Sequence, residues 1–334
     1  MIRTRITAVQ PLWAVEGGRV RVDGLDLGFG RAGVPEVRVG SAAARVVHAS
    51  PHSVTIVIPP GLGGGHTPIR VGSAPGETAF IDVGTSVATG LHQVDNPVFD
   101  RRGNLYLTYS GSRGEKSPVS IFRVRRDGYR EPFVSGITNA TSMAFDAQER
   151  LYVSSRFEGT VYRIGPNGEV ETLATDLGVT CGLAFDSDGT LYAGDRSGTV
   201  FRVSPSGHAS AFATLPPSVA AFHLAFGPDG MLYVTAPTLS PYDSVYRIDR
   251  TGRVGVISSR FGRPQGLAFD AQGVLYVVEA LAGASGVYRV YEDGSVEHLL
   301  AAGGLVGLAL DPGGGMVVAS NDTAYRLDVN VRRP

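Results

Sequence analysis

The chain has 334 residues, 43% hydrophobic and 18% charged, with 45 Gly and 20 Pro, which excludes a disordered or mainly helical protein and predicts many tight turns. Thirty basic against 31 acidic side chains leave a net charge of −1, so the long-range field that gathers nucleic acid or anionic lipid is missing and a nucleic-acid partner is not expected. Cys181 is the single cysteine, which excludes an intramolecular disulfide framework and a cysteine metal cluster. No stretch reaches the apolar length of a membrane span, and the N-terminus lacks the apolar run of a secretory signal. A soluble protein is expected, cytoplasmic or exported if a leader has been removed.

In chain order, residues 1–75 alternate apolar and polar side chains over Arg19 to Val22, Glu36 to Val39, Ala44 to Val47 and Val54 to Ile58. Short half-buried strands of this kind predict a small β-sandwich. The Gly- and Pro-containing GSAPGE at 72–77 reads as a linker, and the boundary is set at 76–79.

One phrase then recurs: NPVFDRRGNLYLTY from Asn96, SMAFDAQERLYVSS from Ser142, GLAFDSDGTLYAGD from Gly182, HLAFGPDGMLYVTA from His223, GLAFDAQGVLYVVE from Gly266 and GLALDPGGGMVVAS from Gly307. A period of roughly forty residues is the signature of a repeat architecture. In each copy a second phrase follows (SIFRV, TVYRI, TVFRV, SVYRI, GVYRV, TAYRL), then in five copies a Gly (128, 168, 207, 252, 294) and another alternating segment. Four β-rich segments per repeat predict one antiparallel sheet, and neighbouring sheets covering both its faces explain why both alternating sets are apolar: a β-propeller blade. The turns DSDG, GPDG, DAQG and DRRGN lack the extended ligand spacing of a calcium loop and are assigned to hairpins.

The last copy ends before a fourth strand. VATGLHQVDNPVFD at 87–100 aligns without a gap to LATDLGVTCGLAFD at 173–186, so residues 80–90 are expected to supply the missing outer strand and close a ring of six blades over 80–330, with 331–334 as a tail. The fold class expected is all-β: an immunoglobulin-like sandwich followed by a six-bladed propeller.

The first segment resembles an IPT/TIG domain, through Ile6, Val9, Pro11, Gly17-Gly18, Gly24, Val39-Gly40, Ser50 and the IPP-G of Ile58 to Gly61. The remainder resembles the NHL and gluconolactonase/regucalcin group of six-bladed propellers, through the repeated G-L-A-F-D-x-x-G-x-L-Y-V phrase. In a propeller, the residue just before each copy and the one closing L-Y-V-x-x are expected to face the axis or its mouth. The first set is Asp95, Thr141, Cys181, Phe222, Gln265 and Val306, and the second is Tyr109, Ser155, Asp195, Ala236, Glu279 and Ser320.

In gluconolactonase-like proteins a carboxylate in an E-G-P-like phrase, Asn residues in P-N-G-like phrases and an Asp at a strand end hold one divalent cation. The resemblance therefore implies a divalent cation such as calcium, with Asp95, Asp195 and Glu279 as metal ligands and Asp195 as catalytic base in opening a lactone or small ester. Asp95-Asn96-Pro97 stands where the first phrase belongs, whereas Thr180-Cys181-Gly182 and Pro264-Gln265-Gly266 carry no Asn, so the ligand set is incomplete. Asn96, Tyr109, Ser155, His223, Gln265 and Asn321 are the other channel or binding candidates. Against the metal stands a plainer reading, in which Asp195 and Glu279 pair with turn groups and His223 is a hydrogen-bonded structural residue. Arg123, Arg163, Arg202, Arg247, Arg289 and Arg326 recur once per copy and are expected to form ion pairs with Asp100, Asp146, Asp186, Asp270 and Asp311. The leading functional expectation is a recognition propeller for a protein, carbohydrate or small-molecule ligand, its unequal loops 110–118, 236–243 and 279–286 forming the contact face. The alternative is the metal-dependent lactone or ester hydrolase.

Overall fold

The computed structural model describes residues 4–27, 33–72 and 78–329. The proposed tail at 331–334 and residues 76–77 of the proposed linker lie outside the described residues. Within them the fold is all-β, with no helix, and it is a β-propeller. No helix is long and apolar enough to cross a membrane.

Five sheets of four antiparallel strands stand as independent blades. Their innermost strands are Val98–Phe99, Ala140–Phe145, Thr180–Phe185, His223–Phe226 and Leu305–Leu310. Each inner strand packs beside the next around the axis, and Val98–Phe99 meets Leu305–Leu310. Between the His223 and Leu305 sheets lie the four antiparallel strands Pro264–Phe269, Leu275–Glu279, Gly286–Val290 and Val296–Ala301, but these do not form a blade of their own. They belong to a twelve-stranded sheet that continues into the N-terminal region. The expected count of six independent blades is therefore corrected to five.

The same continuity overturns the separate N-terminal IPT/TIG sandwich. The two-residue strand Trp13–Ala14 runs parallel to Leu300–Ala301 on one side and to Asp82–Val83 on the other, joining the strands of residues 5–83 to those of 264–301. The apolar cluster of Val20, Val22, Ile56, Ile69 and Ile81 accordingly includes Ala301. Gly18 permits this junction, because a Cβ there would lie 2.4 Å from the Ala301 carbonyl oxygen.

The ring closes over a shorter strand than 80–90. Thr85–Ala88 pairs antiparallel with Ala324–Arg326, whereas Phe80 and its neighbours in Ala79–Val83 pair with Gly65–Ile69. One backbone therefore serves two sheets, divided at Gly84, where a Cβ would meet Val15 at 2.8 Å.

The repeated phrase has a physical cause at each position. Its Tyr stacks edge-on against the Phe of the following copy, in Tyr106–Phe145, Tyr152–Phe185, Tyr192–Phe226 and Tyr233–Phe269, with ring centroids 4.8 to 5.2 Å apart. Its Asp caps the hairpin turn: Asp186 Oδ1 accepts the N–H groups of Asp188 (3.0 Å) and Thr190 (2.8 Å). In other copies the carboxylate also takes the Tyr hydroxyl, as in Tyr106 to Asp100 at 3.2 Å and Tyr276 to Asp270 at 3.1 Å. These carboxylates are thus already engaged, and most do not pair with the recurring arginines. Arg123, Arg163 and Arg289 instead take Glu131, Glu171 and Glu297 from the adjacent outer strand, and Arg326 alone takes the phrase carboxylate, Asp311, at 3.3 Å.

Candidate functional site

Pairing of the first two strands in a sheet places the predicted positions at one end of the axis: Ala140 lies opposite Ser155, Thr180 opposite Asp195, His223 opposite Thr235 and Pro264 opposite Glu279. At the centre of this end, His223 takes the place that glycine holds in three other copies, and it is fully buried, 0% exposed. Its Nδ1 lies 2.5 Å from Asp95 Oδ1 and its Nε2 3.3 Å from Gln265 Oε1. The Asp95 carboxylate also accepts the Asn96 N–H at 2.7 Å.

Asn96 extends the crosslink, donating from Nδ2 to the Leu267 carbonyl (2.9 Å) and accepting the Leu308 N–H (3.0 Å). Glycine is required where this dipeptide passes. A Cβ on Gly266 would lie 2.0 Å from Asn96 Oδ1, and one on Gly307 would lie 2.6 Å from the Asp95 carbonyl oxygen. Asp95, Asn96, His223 and Gln265 therefore plug the axis. Below the plug, a cavity of about 330 Å³ is lined by apolar groups that include Met143, Leu183, Leu224, Ala268 and Leu308.

The other predicted carboxylates are not brought to this point. Glu279 accepts three backbone N–H groups, from Gly262 (2.6 Å), Arg263 (2.9 Å) and Leu281 (2.6 Å). Asp195 accepts the Val179 N–H at 2.7 Å and the Ser197 hydroxyl. Ser155 does the equivalent job in its own sheet, donating to the Thr138 carbonyl at 2.6 Å and accepting the Glu158 N–H at 3.1 Å. All three hold the loop that enters the inner strand of their own sheet against the end of the second strand. Asn321 donates to the Gln93 carbonyl at 3.1 Å, tying the last sheet to the segment that enters the first. Tyr109 is half-buried, with its ring edge-on to His92 at 6.2 Å.

A divalent cation does not fit these donors. Among the described residues no group of three or more His, Cys, Asp and Glu side chains is placed to hold a metal ion. The oxygens of Asp195 and Glu279 already receive backbone donors, as the plainer reading expects. Glu279→Ala should therefore lower stability by about 2 kcal/mol through lost loop contacts and leave the metal content of the purified protein, read by elemental analysis, unchanged. Burial pushes the Cys181 thiol up to about 12, so its thiolate is scarce at neutral pH.

Two kinds of residue escaped the sequence reading. Gln93 is fully buried and accepts both the N–H (2.7 Å) and the hydroxyl (3.1 Å) of Thr108 while donating to the Asp95 carbonyl at 2.7 Å. Arg156 and Arg196 directly follow Ser155 and Asp195 at equivalent strand ends, beside the mouth. Their signal lies in the phrases SSR and GDR at the ends of the second strands, where an arginine occurs in two copies alone, whereas the arginines of the third strands recur in every copy.

Comparison with known proteins gives the fold and little more. The family described as "Strictosidine synthase-like, N-terminal" matches residues 182–203, one strand phrase and the strand after it. Among curated proteins, none matches the chain. Among solved structures, an auxiliary nutrient binding protein from Bacteroides thetaiotaomicron is similar over 98% of each chain, with a TM-score of 0.59 at 13% identity. A gluconolactonase from Xanthomonas campestris is similar over 72% of this chain and 87% of its own, with a TM-score of 0.59 at 18% identity. A virginiamycin B lyase from Staphylococcus aureus is similar over 72% and 86%, with a TM-score of 0.51 at 12% identity. At these identities the likeness is one of fold, a β-propeller shared by proteins whose names describe binding, hydrolysis and lyase chemistry.

Proposed function

We propose that the protein is a recognition propeller that takes its ligand at the mouth above the Asp95–His223 plug. The observation that carries this reading is the composition of the rim. Six large apolar side chains stand exposed on loops at this one end: Phe157, Val179, Val219, Leu239, Tyr242 and Leu281, with Leu239 90% and Tyr242 70% exposed. Exposed apolar side chains gathered on the loops at one end of a rigid scaffold mark a contact face. The polar groups that would be recruited for hydrolysis are engaged elsewhere, Asp195 and Glu279 by backbone and His223 by Asp95. The name of the B. thetaiotaomicron nutrient binding protein agrees with a binding role, although its likeness to this chain extends to the fold alone.

The test is a thermal-shift screen of neutral sugars and small organic acids against the wild type and a Leu239→Ala/Tyr242→Ala rim variant. Both side chains are exposed, so the variant should keep the wild-type melting temperature without ligand. A compound that stabilises the wild type should bind the variant at least tenfold more weakly. Stabilisation unchanged by the rim variant would move the site elsewhere, and lactone opening abolished by chelation would overturn the reading in favour of a metal-dependent hydrolase.

A further inference from the structure

The mouth also holds a concentration of positive charge that the fold does not neutralise. Arg156 and Arg196 leave equivalent strand ends of adjacent sheets, and Arg113 arrives from the loop 110–118. That loop is fixed over the neighbouring sheet by Asn139, which donates to the carbonyls of Ser110 (2.6 Å) and Ser112 (2.8 Å) and accepts the Gly114 N–H at 2.7 Å. Among the described residues, none of the three arginines belongs to an ion pair. By contrast, Arg123, Arg163 and Arg289 each pair with a carboxylate on the adjacent outer strand and Arg326 pairs with the turn carboxylate Asp311, although the Nε of Arg289 and of Arg326, like that of Arg196, has no acceptor among the described residues.

Arg196 is the most constrained of the three. Its Nη2 donates to the Val219 carbonyl at 3.0 Å, while its buried Nε has no acceptor among the described residues. A guanidinium presents five donors in a rigid fork matched to carboxylate and phosphate, so an unused buried donor is costly until an oxyanion supplies the acceptor. Burial, and then the charges of Arg196 and Arg113, hold the Arg156 guanidinium below the ordinary arginine range; burial and Arg156 likewise hold His92 below the ordinary imidazole range. The nearby acids do not relieve this. Asp195 is held by the Val179 N–H and the Ser197 hydroxyl, Asp95 by His223 and Glu158 by the Tyr162 hydroxyl, and Glu115 is exposed and forms no ion pair among the described residues. With an overall charge of −1, this is a local arrangement and not spill-over from a basic protein.

We propose that the mouth binds a small organic anion, whose carboxylate or phosphate is clamped by Arg156 and Arg196 with Arg113 closing from the loop, and whose apolar part lies on Phe157, Val179 and Val219. This rests on the mouth being the binding face and adds the chemical class of the ligand. Val179 and Val219 bracket Arg196 through backbone bonds, Arg196 N–H to the Val179 carbonyl at 3.2 Å and the guanidinium to the Val219 carbonyl, so charge and apolar surface are presented together.

The experiment is calorimetric titration with citrate and with inorganic phosphate, at ionic strength held constant with sodium chloride, on the wild type, Arg156→Gln, Arg196→Gln and the double variant. Saturable citrate binding is expected in the wild type, at least tenfold weaker in each single variant and absent in the double. Arg156→Gln should also raise the ligand-free melting temperature by about 1–3 °C, since it removes a desolvated cation that repels its neighbours. Citrate affinity in the double variant equal to the wild type, no citrate or phosphate binding by the wild type, or a lower ligand-free melting temperature in Arg156→Gln would each overturn the assignment. Neutral sugars that bind dependent on Leu239 and Tyr242 but indifferent to the arginines would overturn the anion while leaving the mouth as the binding face; binding of any class insensitive to both the rim variant and the arginine variants would remove the face itself.

Discussion

His223→Ala is expected to destabilise the protein by about 3–5 kcal/mol, the cost of breaking a buried acid–imidazole pair by removing one partner. His223 and Asp95 are both buried, and in the variant the Asp95 carboxylate keeps only the N–H of the next residue, Asn96. Gln265 loses its contact with the ring at the same time, and the space vacated by the fully buried imidazole adds a cavity term. The effect should appear in urea unfolding as a lower midpoint with an unchanged slope, because the plug is lost while the sheets remain. His223→Gln keeps an amide N–H for Asp95 and should recover more than half of the loss. A cost under about 1 kcal/mol in the alanine variant, the size of one ordinary hydrogen bond, would show that the pair does not hold the axis together.

Gly207→Ala is expected to cost about 3 kcal/mol, combining the penalty of a left-handed backbone with a collision against the preceding sheet. Gly207 has φ +86°, and a Cβ there would lie 1.9 Å from the Leu173 carbonyl oxygen on the outer strand Val170–Ala174. Backbone and backbone cannot separate without displacing one sheet from its neighbour. Gly128 supplies the control, with φ +88° and nothing within 4 Å, so Gly128→Ala should show the backbone penalty alone, about 1 kcal/mol. The difference between the two unfolding free energies isolates the contact between sheets, and equal costs would mean that the contact is absent.

That comparison also shows why parts of the fold were legible in the sequence. The glycines at 168, 207, 252 and 294 recur because each presses on an outer-strand carbonyl of the preceding sheet, of Phe133, Leu173, Phe212 and Ile257. The Tyr and Phe of the repeated phrase recur because each copy stacks on the next. A constraint imposed by identical neighbours leaves a periodic trace, and periodicity can be read from one chain.

Contacts made once leave no such trace. The junction of Trp13–Ala14 with Leu300–Ala301 is two residues long and carries no alternation, so the N-terminal strands read as a domain apart. The carboxylates of Asp195 and Glu279 looked like convergent ligands because position in a strand fixes which end of the axis a side chain occupies, but not whether a backbone N–H reaches it first. The arginines of the third strands were expected to take the phrase aspartates, which turn N–H groups and Tyr hydroxyls had already engaged. At the site itself, the substitution of His223 for glycine was visible, whereas its partner, 128 residues earlier in the chain, was seen only as a separate candidate.

The pairing of Thr85–Ala88 with Ala324–Arg326 sets an order on synthesis. The strand Thr85–Ala88 must wait for Ala324–Arg326 to be made, and the strip at Trp13–Ala14 must wait for Leu300–Ala301. Contacts of such long separation form late and leave sheet edges open meanwhile, so the nascent chain is exposed to edge-to-edge association until the distant partner of each strand has been made.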